Sequence, residues 1–241
     1  MTVETDPQSS SSQKQGLRTT LVICAVVIAL GLVVAWNYVF TLNQQAQRPD
    51  YLPIIHRLDR DLETVNQKGE QSGFFALRGK VWVLGYVFTR CPVGCLGVME
   101  YQQKLQKEFG DRDDFHLVSI TMDPEEDTAE WIADWTEEKQ LGGDNWWFLT
   151  GVGKKIRSYM GKYFRLYINQ RKDPDEIKLY GEWEHELKLV LVDQTGAIRY
   201  YYDVMNVSRG ESQFEKLRKD VKRLLEQGPT LGQESQQPNS N

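Results

Sequence analysis

Two cysteines stand four residues apart in Cys91-Pro92-Val93-Gly94-Cys95, directly after the apolar run Val81–Phe88. A buried strand giving way to a helix at this point puts both sulfurs at a helix start. Unpaired backbone N–H groups and the positive end of the helix dipole favour thiolate over thiol there. Thiolate is the form that attacks disulfides and binds soft metals. The pair reads as a chemical site.

Its spacing narrows the chemistry. Pro92 suits the first helical position, which makes Cys91 the cap and sets Cys95 one turn inside. Residues four apart on a helix hold their Cβ atoms about 5–6 Å apart on one face. A disulfide wants about 3.8 Å between them, so bridging requires unwinding of the first turn. Metal–sulfur bonds of about 2.3 Å tolerate the wider separation. The spacing favours a metal clamp and leaves a redox dithiol open. Two thiolates call for a soft or borderline metal, copper(I) first. Structural zinc normally takes four protein ligands, and the chain offers two cysteines outside its apolar segment and three histidines.

A third ligand is expected from a histidine near the end of a strand. His185 fits best: it precedes the apolar run Leu187–Val192 and shares strand phase with Leu187, Leu189 and Leu191. The alternative is a solvated loop residue between two glutamates. His116 alternates with Phe115 and Leu117 and is expected to face solvent, and His56 follows the apolar segment too closely to be a ligand unless the chain folds back. Asp123, in Asp123-Pro124-Glu125, is placed either to support the site from behind or to cap the loop that follows.

The elements that must position these residues alternate between strand-like and helix-like pieces. Val81–Phe88, Phe115–Thr121, Trp146–Leu149, Leu187–Val192 and Ala197–Tyr202 read as strands, the last two joined by a turn at Asp193–Gly196. Helical spacing marks Val98, Tyr101, Leu105 and Phe109; then Trp131, Ile132 and Trp135, with Asp127 and Thr128 as caps; then Val152, Ile156, Tyr159, Met160 and Tyr163; and finally Phe214, Leu217, Val221, Leu224 and Leu225. Residues 54–79 fit either a helix or a strand entering a turn at Asn66–Gly69. Alternating elements argue for an α/β fold with a mixed central sheet. A strand followed by a cysteine pair opening a helix is the thioredoxin-like arrangement. No proline lies near His185, where such a fold usually carries a cis-proline, and this argues against an ordinary thioredoxin-type reductase.

The 241 residues suit one globular domain with appendages, and a hydrophobic share of 40% excludes disorder throughout. A formal charge of −5 leaves no basic footprint for nucleic acid. Residues 21–40 are apolar apart from Asn37 and are long enough, at about 30 Å of helix, to span a bilayer. Lys14 and Arg18 precede the segment and the next basic residue is Arg48, which orients the N-terminus inward. A cleaved signal peptide would have a shorter apolar core and a small-residue cleavage site. Cys24 lies within the apolar run and not after it, so it does not read as a lipoprotein cysteine. The N-terminal stretch carries Glu4 and Asp6, unlike a mitochondrial presequence. The expected organisation is a cytoplasmic tail 1–20, a transmembrane anchor 21–40, a linker 41–53, a thioredoxin-like domain 54–227 and a disordered tail 228–241. The expected location is a bacterial cytoplasmic membrane with the C-terminal domain in the periplasm, where Cys91 and Cys95 can rest as a disulfide unless reduced or metallated.

Taken together, several stretches resemble the Sco/SenC family of copper-handling, thioredoxin-like proteins. They are Gly79–Val83, Phe88-Thr89-Arg90-Cys91-Pro92-x-x-Cys95, Val118–Asp127-Thr128, Trp147–Gly151, and His185 ahead of Leu191-Val192-Asp193-x-x-Gly196. The likeness runs from about residue 50 to 226. It implies copper as the bound ion and Cys91, Cys95 and His185 as its ligands. The implied partner is the cytochrome c oxidase subunit carrying the CuA centre, with other periplasmic copper chaperones or thioredoxin-like reductants beside it. It also implies the strand-turn form for Leu62–Gly69.

Either of two activities fits: a metallochaperone, or a thiol-disulfide oxidoreductase with Cys91 and Cys95 as its redox-active pair. An anchored domain with a structural disulfide is the third alternative. Two departures from the family pattern stand out. Leu96 replaces a common proline, and Glu184 and Glu186 flank the histidine where Asp and Ser are usual. Two carboxylates beside His185 predict a raised pKa there and weaker copper binding below neutral pH.

Overall fold

The computed structural model describes residues 8–47, 52–90 and 95–228. Cys91, Pro92, Val93 and Gly94 lie outside the described residues, as do residues 1–7, 48–51 and the 229–241 part of the expected tail. The chain divides into two units, Met1–Tyr51 and Leu52–Asn241.

The first unit is one helix, α1 (Gln8–Gln47). Within it Thr20–Phe40 forms 21 residues of mean hydropathy 2.4, long and apolar enough to cross a membrane. Asn37 Nδ2 donates to Val33 O at 3.0 Å, so its amide is satisfied inside the helix, as a hydrocarbon surrounding requires.

In the second unit, β1 (His56–Arg57), β2 (Thr64–Val65) and β3 (Gln71–Ser72) precede β4 (Val81–Val87). Helix α2 (Cys95–Phe109), β5 (Phe115–Thr121), α3 (Ala129–Glu138), β6 (Trp146–Leu149) and α4 (Gly153–Tyr163) follow. The chain continues through β7 (Ile168–Gln170), α5 (Pro174–Tyr180), β8 (Trp183–His185), β9 (Leu189–Val192), β10 (Ala197–Tyr202) and α6 (Gly210–Gln227). The main sheet has the order β1-β10-β9-β4-β5-β6. Strands β4, β5 and β6 run parallel, while β9 pairs antiparallel with β4 and β10.

Strand β4 is buried at every position, and its alternate side chains feed two cores. Val81, Val83 and Val87 pack with Leu105 and Phe109 of α2 and Leu217 and Val221 of α6. Trp82, Leu84 and Tyr86 pack on the other face with Ile156 and Met160 of α4 and with Phe74 and Phe164. A continuous apolar run is what a strand covered on both faces needs, and this one sits at the centre of the sheet.

The strand-turn reading of Leu62–Gly69 holds: β2 pairs with β3 across Asn66, whose side-chain oxygen accepts from Lys68 N and Glu70 N. Gly69 closes that turn at φ +76°. Asp193 builds the other expected turn by accepting from Thr195 N at 2.8 Å and Ala197 N at 3.0 Å. Thr128 caps α3 by accepting from Trp131 N at 3.2 Å, whereas the side chain of Asp127 is used elsewhere.

Two expectations fail. His185 does not continue the strand at Leu189; it ends β8, which pairs with β7 in a separate two-stranded sheet. The chain between Phe164 and Glu186 forms a small hairpin with α5 at its tip, none of whose residues is buried. His116 does not face solvent: it is 3% exposed, edge-on to Trp147 with ring centroids 4.5 Å apart. Both faces of β5 are covered, so alternation cannot send a residue to water.

Candidate metal centre

Parallel strands bring the carboxyl ends of β4 and β5 together, and the loops after them form one end of the sheet. The loop after β4 leads to the cysteines. Its first polar residue is held from below: Thr89 Oγ1 donates to Asp127 Oδ1 at 2.5 Å, and Thr89 N donates to Oδ2 at 3.4 Å. Thr121 Oγ1, at the end of β5, donates to Oδ2 at 2.6 Å. Trp131 Nε1 reaches Thr89 Oγ1 from α3 at 2.9 Å. Asp127 is fully buried, and burial raises its carboxyl above the ordinary range while the Thr121 and Thr89 hydroxyls oppose the shift. Two residues ahead of Cys91, the backbone is therefore fixed by a carboxylate that no water reaches.

Cys91 lies outside the described residues, and Cys95 is described only as the first residue of α2. His185 ends β8 beside the carboxyl end of β4. Its ring meets Tyr86 edge-on, with centroids 5.9 Å apart and planes at 87°. Tyr86 is the residue before the last of β4, five before Cys91. His185 Nδ1 contacts Trp183 O at 3.2 Å. A carbonyl only accepts, so the proton stands on Nδ1 and the lone pair on Nε2, the nitrogen that can bind a metal.

The flanking glutamates do not raise His185. Its pKa is lowered, chiefly by burial and further by Arg171, with the Trp183 carbonyl opposing. Glu184 alternates out to solvent on β8. Glu186 is spent on an ion pair with Lys188 and on accepting Tyr167 N at 3.0 Å. The imidazole is held neutral, the form a metal requires.

Asp123 is buried, and its backbone N–H donates to Thr121 Oγ1 at 3.0 Å. Its carbonyl accepts from Asp127 N at 2.8 Å, so its backbone closes the loop turn. Burial raises its carboxyl, and the nearby Trp183 indole, which makes no well-formed hydrogen bond, favours the ionised form. His56 lies on β1 opposite Ile198, and His116 lies against Trp147. Among the described residues, no three His, Cys, Asp or Glu side chains gather as a metal site, and of the expected ligand set only the His185 side chain is described.

One participant had no signal in the sequence. Arg157 of α4 donates to both Glu125 carboxylate oxygens, at 2.8 and 2.9 Å, and to Met122 O at 2.8 Å. Its guanidinium also lies 4.3 Å from the centre of the Trp183 ring. An arginine in a helix with an exposed polar face looks like any other until the loops are folded over it.

Residues 56–224 match the profile of the SCO1/SenC family. The chain belongs to that family. A SCO1 protein homolog of Bacillus subtilis (strain 168) is 26% identical over 140 residues, covering 57% of this chain and 69% of the homolog. The structure of a SCO1/SenC family lipoprotein from Bacillus anthracis str. Ames is similar at TM-score 0.60 and 26% identity, over 71% of this chain and 96% of that one. BsSco, a member of the Sco family of cytochrome c oxidase assembly proteins with a disulfide switch, is similar at TM-score 0.58 and 24% identity, over 72% and 96%. Bradyrhizobium japonicum ScoI with copper bound is similar at TM-score 0.54 and 20% identity, over 68% and 98%. The SCO1/SenC domain here has the expected thioredoxin-like fold, a mixed sheet flanked by helices.

Proposed function

We propose that this SCO1/SenC protein is a membrane-anchored copper metallochaperone. Cys91 and Cys95 supply two thiolates, His185 Nε2 supplies the third ligand, and the copper is passed to the CuA centre of cytochrome c oxidase. The observation that carries the proposal is the fixed, neutral imidazole of His185 against Tyr86, on the strand that leads to the cysteine pair. The donor chemistry fits the metal, since thiolate and imidazole together suit copper. The copper-bound Bradyrhizobium japonicum relative and the oxidase-assembly role of the BsSco family support the cargo and its destination. Lys14 and Arg18 before the apolar span orient the domain outward, into a periplasm.

The disulfide switch of BsSco favours a second reading, thiol-disulfide exchange. Here the Cys91 and Cys95 thiolates reduce a partner disulfide. A mixed disulfide forms with one cysteine, the other displaces it, and a Cys91–Cys95 bond replaces the partner's while the partner leaves as two thiols. That chemistry has no use for His185.

A copper(I) titration of the fully reduced chain against a competing chelator separates the two. One tight equivalent, abolished by Cys91→Ser and clearly weakened by His185→Ala, supports the metallochaperone. Weak binding indifferent to His185→Ala, with a readily cycling dithiol, overturns it in favour of the oxidoreductase.

A further inference from the structure

Strand β8 pairs with β7 and with no strand of the main sheet among the described residues. The arm that carries His185 is fastened instead through Trp183, two residues earlier, which is 9% exposed and packs in the core between α4 and the sheet. Arg157 grips that ring from α4, its guanidinium 4.3 Å from the ring centre. The same guanidinium holds Met122 O and both oxygens of Glu125, the residues on either side of Asp123-Pro124. The Glu125 carboxylate also lies close against Gly153, where a Cβ would come 2.2 Å from its Oε1. One planar group thus joins the loop after β5 to the residue whose carbonyl accepts from His185 Nδ1–H. The cation–π contact holds the Trp183 ring, and the bidentate pair fixes the plane of the guanidinium.

We infer that Arg157 is a positioning residue for His185: it sets the Trp183 backbone, which sets the tautomer and direction of the imidazole. This rests on His185 serving as a copper ligand, and the test separates the two claims. The full chain, in detergent micelles with 15N-labelled histidine, is compared with Arg157→Ala and with Arg157→Lys, which keeps the charge beside Glu125. With three histidines in the chain, each signal is assignable by single substitution.

Without metal, the ring of His185 should show the Nδ1–H tautomer in the parent chain and a mixture of tautomers in Arg157→Ala. Copper(I) affinity, measured against a chelator, should fall about tenfold in Arg157→Ala, the loss expected when a ligand's orienting group is removed. Adding His185→Ala to that variant should weaken binding little beyond His185→Ala alone. A persistent Nδ1–H tautomer in both arginine variants overturns the inference, as do losses of affinity that simply multiply. A tautomer freed by Arg157→Ala, in a chain whose copper affinity ignores His185→Ala, upholds the positioning and sinks the copper reading instead.

Discussion

The rings of Tyr86 and His185 meet edge to face, with centroids 5.9 Å apart and planes at 87°. The contact brings a strand of the main sheet against an arm that does not pair with it. Tyr86 is 3% exposed, and its hydroxyl has no hydrogen-bond partner among the described residues. Burial, and secondarily Glu186, raise its pKa, so it stays a neutral phenol. Its ring supports His185, while its hydroxyl is unpaired among the described residues. Tyr86→Phe should therefore leave stability unchanged or raise it by about 1 kcal/mol, while Tyr86→Ala should cost about 3–5 kcal/mol. Denaturant unfolding of both variants checks this; a clear loss in Tyr86→Phe would mean that the hydroxyl is satisfied.

Asp127 should govern the cysteine loop through Thr89. Removing its carboxylate strands the buried Thr121 hydroxyl and the half-buried Thr89 hydroxyl, so Asp127→Ala should cost at least about 2 kcal/mol. It should also speed alkylation of the reduced cysteines, because Thr89 loses its hold. Thr89→Val, which removes one donor, should reproduce the faster alkylation at a smaller cost in stability. Unchanged alkylation in both variants would detach Asp127 from the loop.

His116 makes stability fall in acid. Burial first, and Lys80 second, lower its pKa from 6.5 to about 3. The unfolded chain then binds the proton more readily than the folded one. Stability is full above about pH 6.5 and is lost as pH falls toward about 3, by up to about 1.4 kcal/mol per pH unit. His116→Phe should flatten that part of the profile. Unfolding midpoints at pH 7, 5 and 4 for parent and variant isolate the effect from the other histidines.

Asp193 and Arg199 form a buried ion pair at 2.7 Å, with side chains 5% and 7% exposed. Arg199 also reaches Pro53 O at 3.2 Å and Leu52 O, tying the start of the domain to β10. Asp193→Ala should cost about 3–5 kcal/mol, because it removes a buried carboxylate from the guanidinium and opens the turn at Gly196. Asp193→Ala with Arg199→Met should recover a good part of that loss, which a double-mutant cycle measures.

Much of the sheet was legible because its signals are local. Val81–Val87 is an apolar run of strand length and Phe115–Thr121 is rich in β-branched and aromatic residues, and both strands formed where those stretches lie. The arm from Ile168 to His185 was not legible. Its strands are three residues each and its helix buries nothing, so no periodicity accumulates. His185 was chosen by a wrong phase argument, since β8 and β9 are different strands. The glutamates beside it suggested a raised pKa because sequence distance stood in for electrostatics. In the fold Glu186 is taken by Lys188, and burial decides the direction. Arg157 had no chance of being read, because its partners lie 26 to 35 residues away along the chain.

The separate pairing of β7 with β8 has an evolutionary consequence. Because residues 168–185 pair apart from the main sheet, insertions, deletions or new charges there should leave its registers in place, provided Trp183 keeps its lodging. A lineage can resurface the arm that carries the imidazole, and so change which proteins approach it, while the strand leading to the thiols stands still. Choice of client and chemistry of the metal can then drift at different rates within one domain.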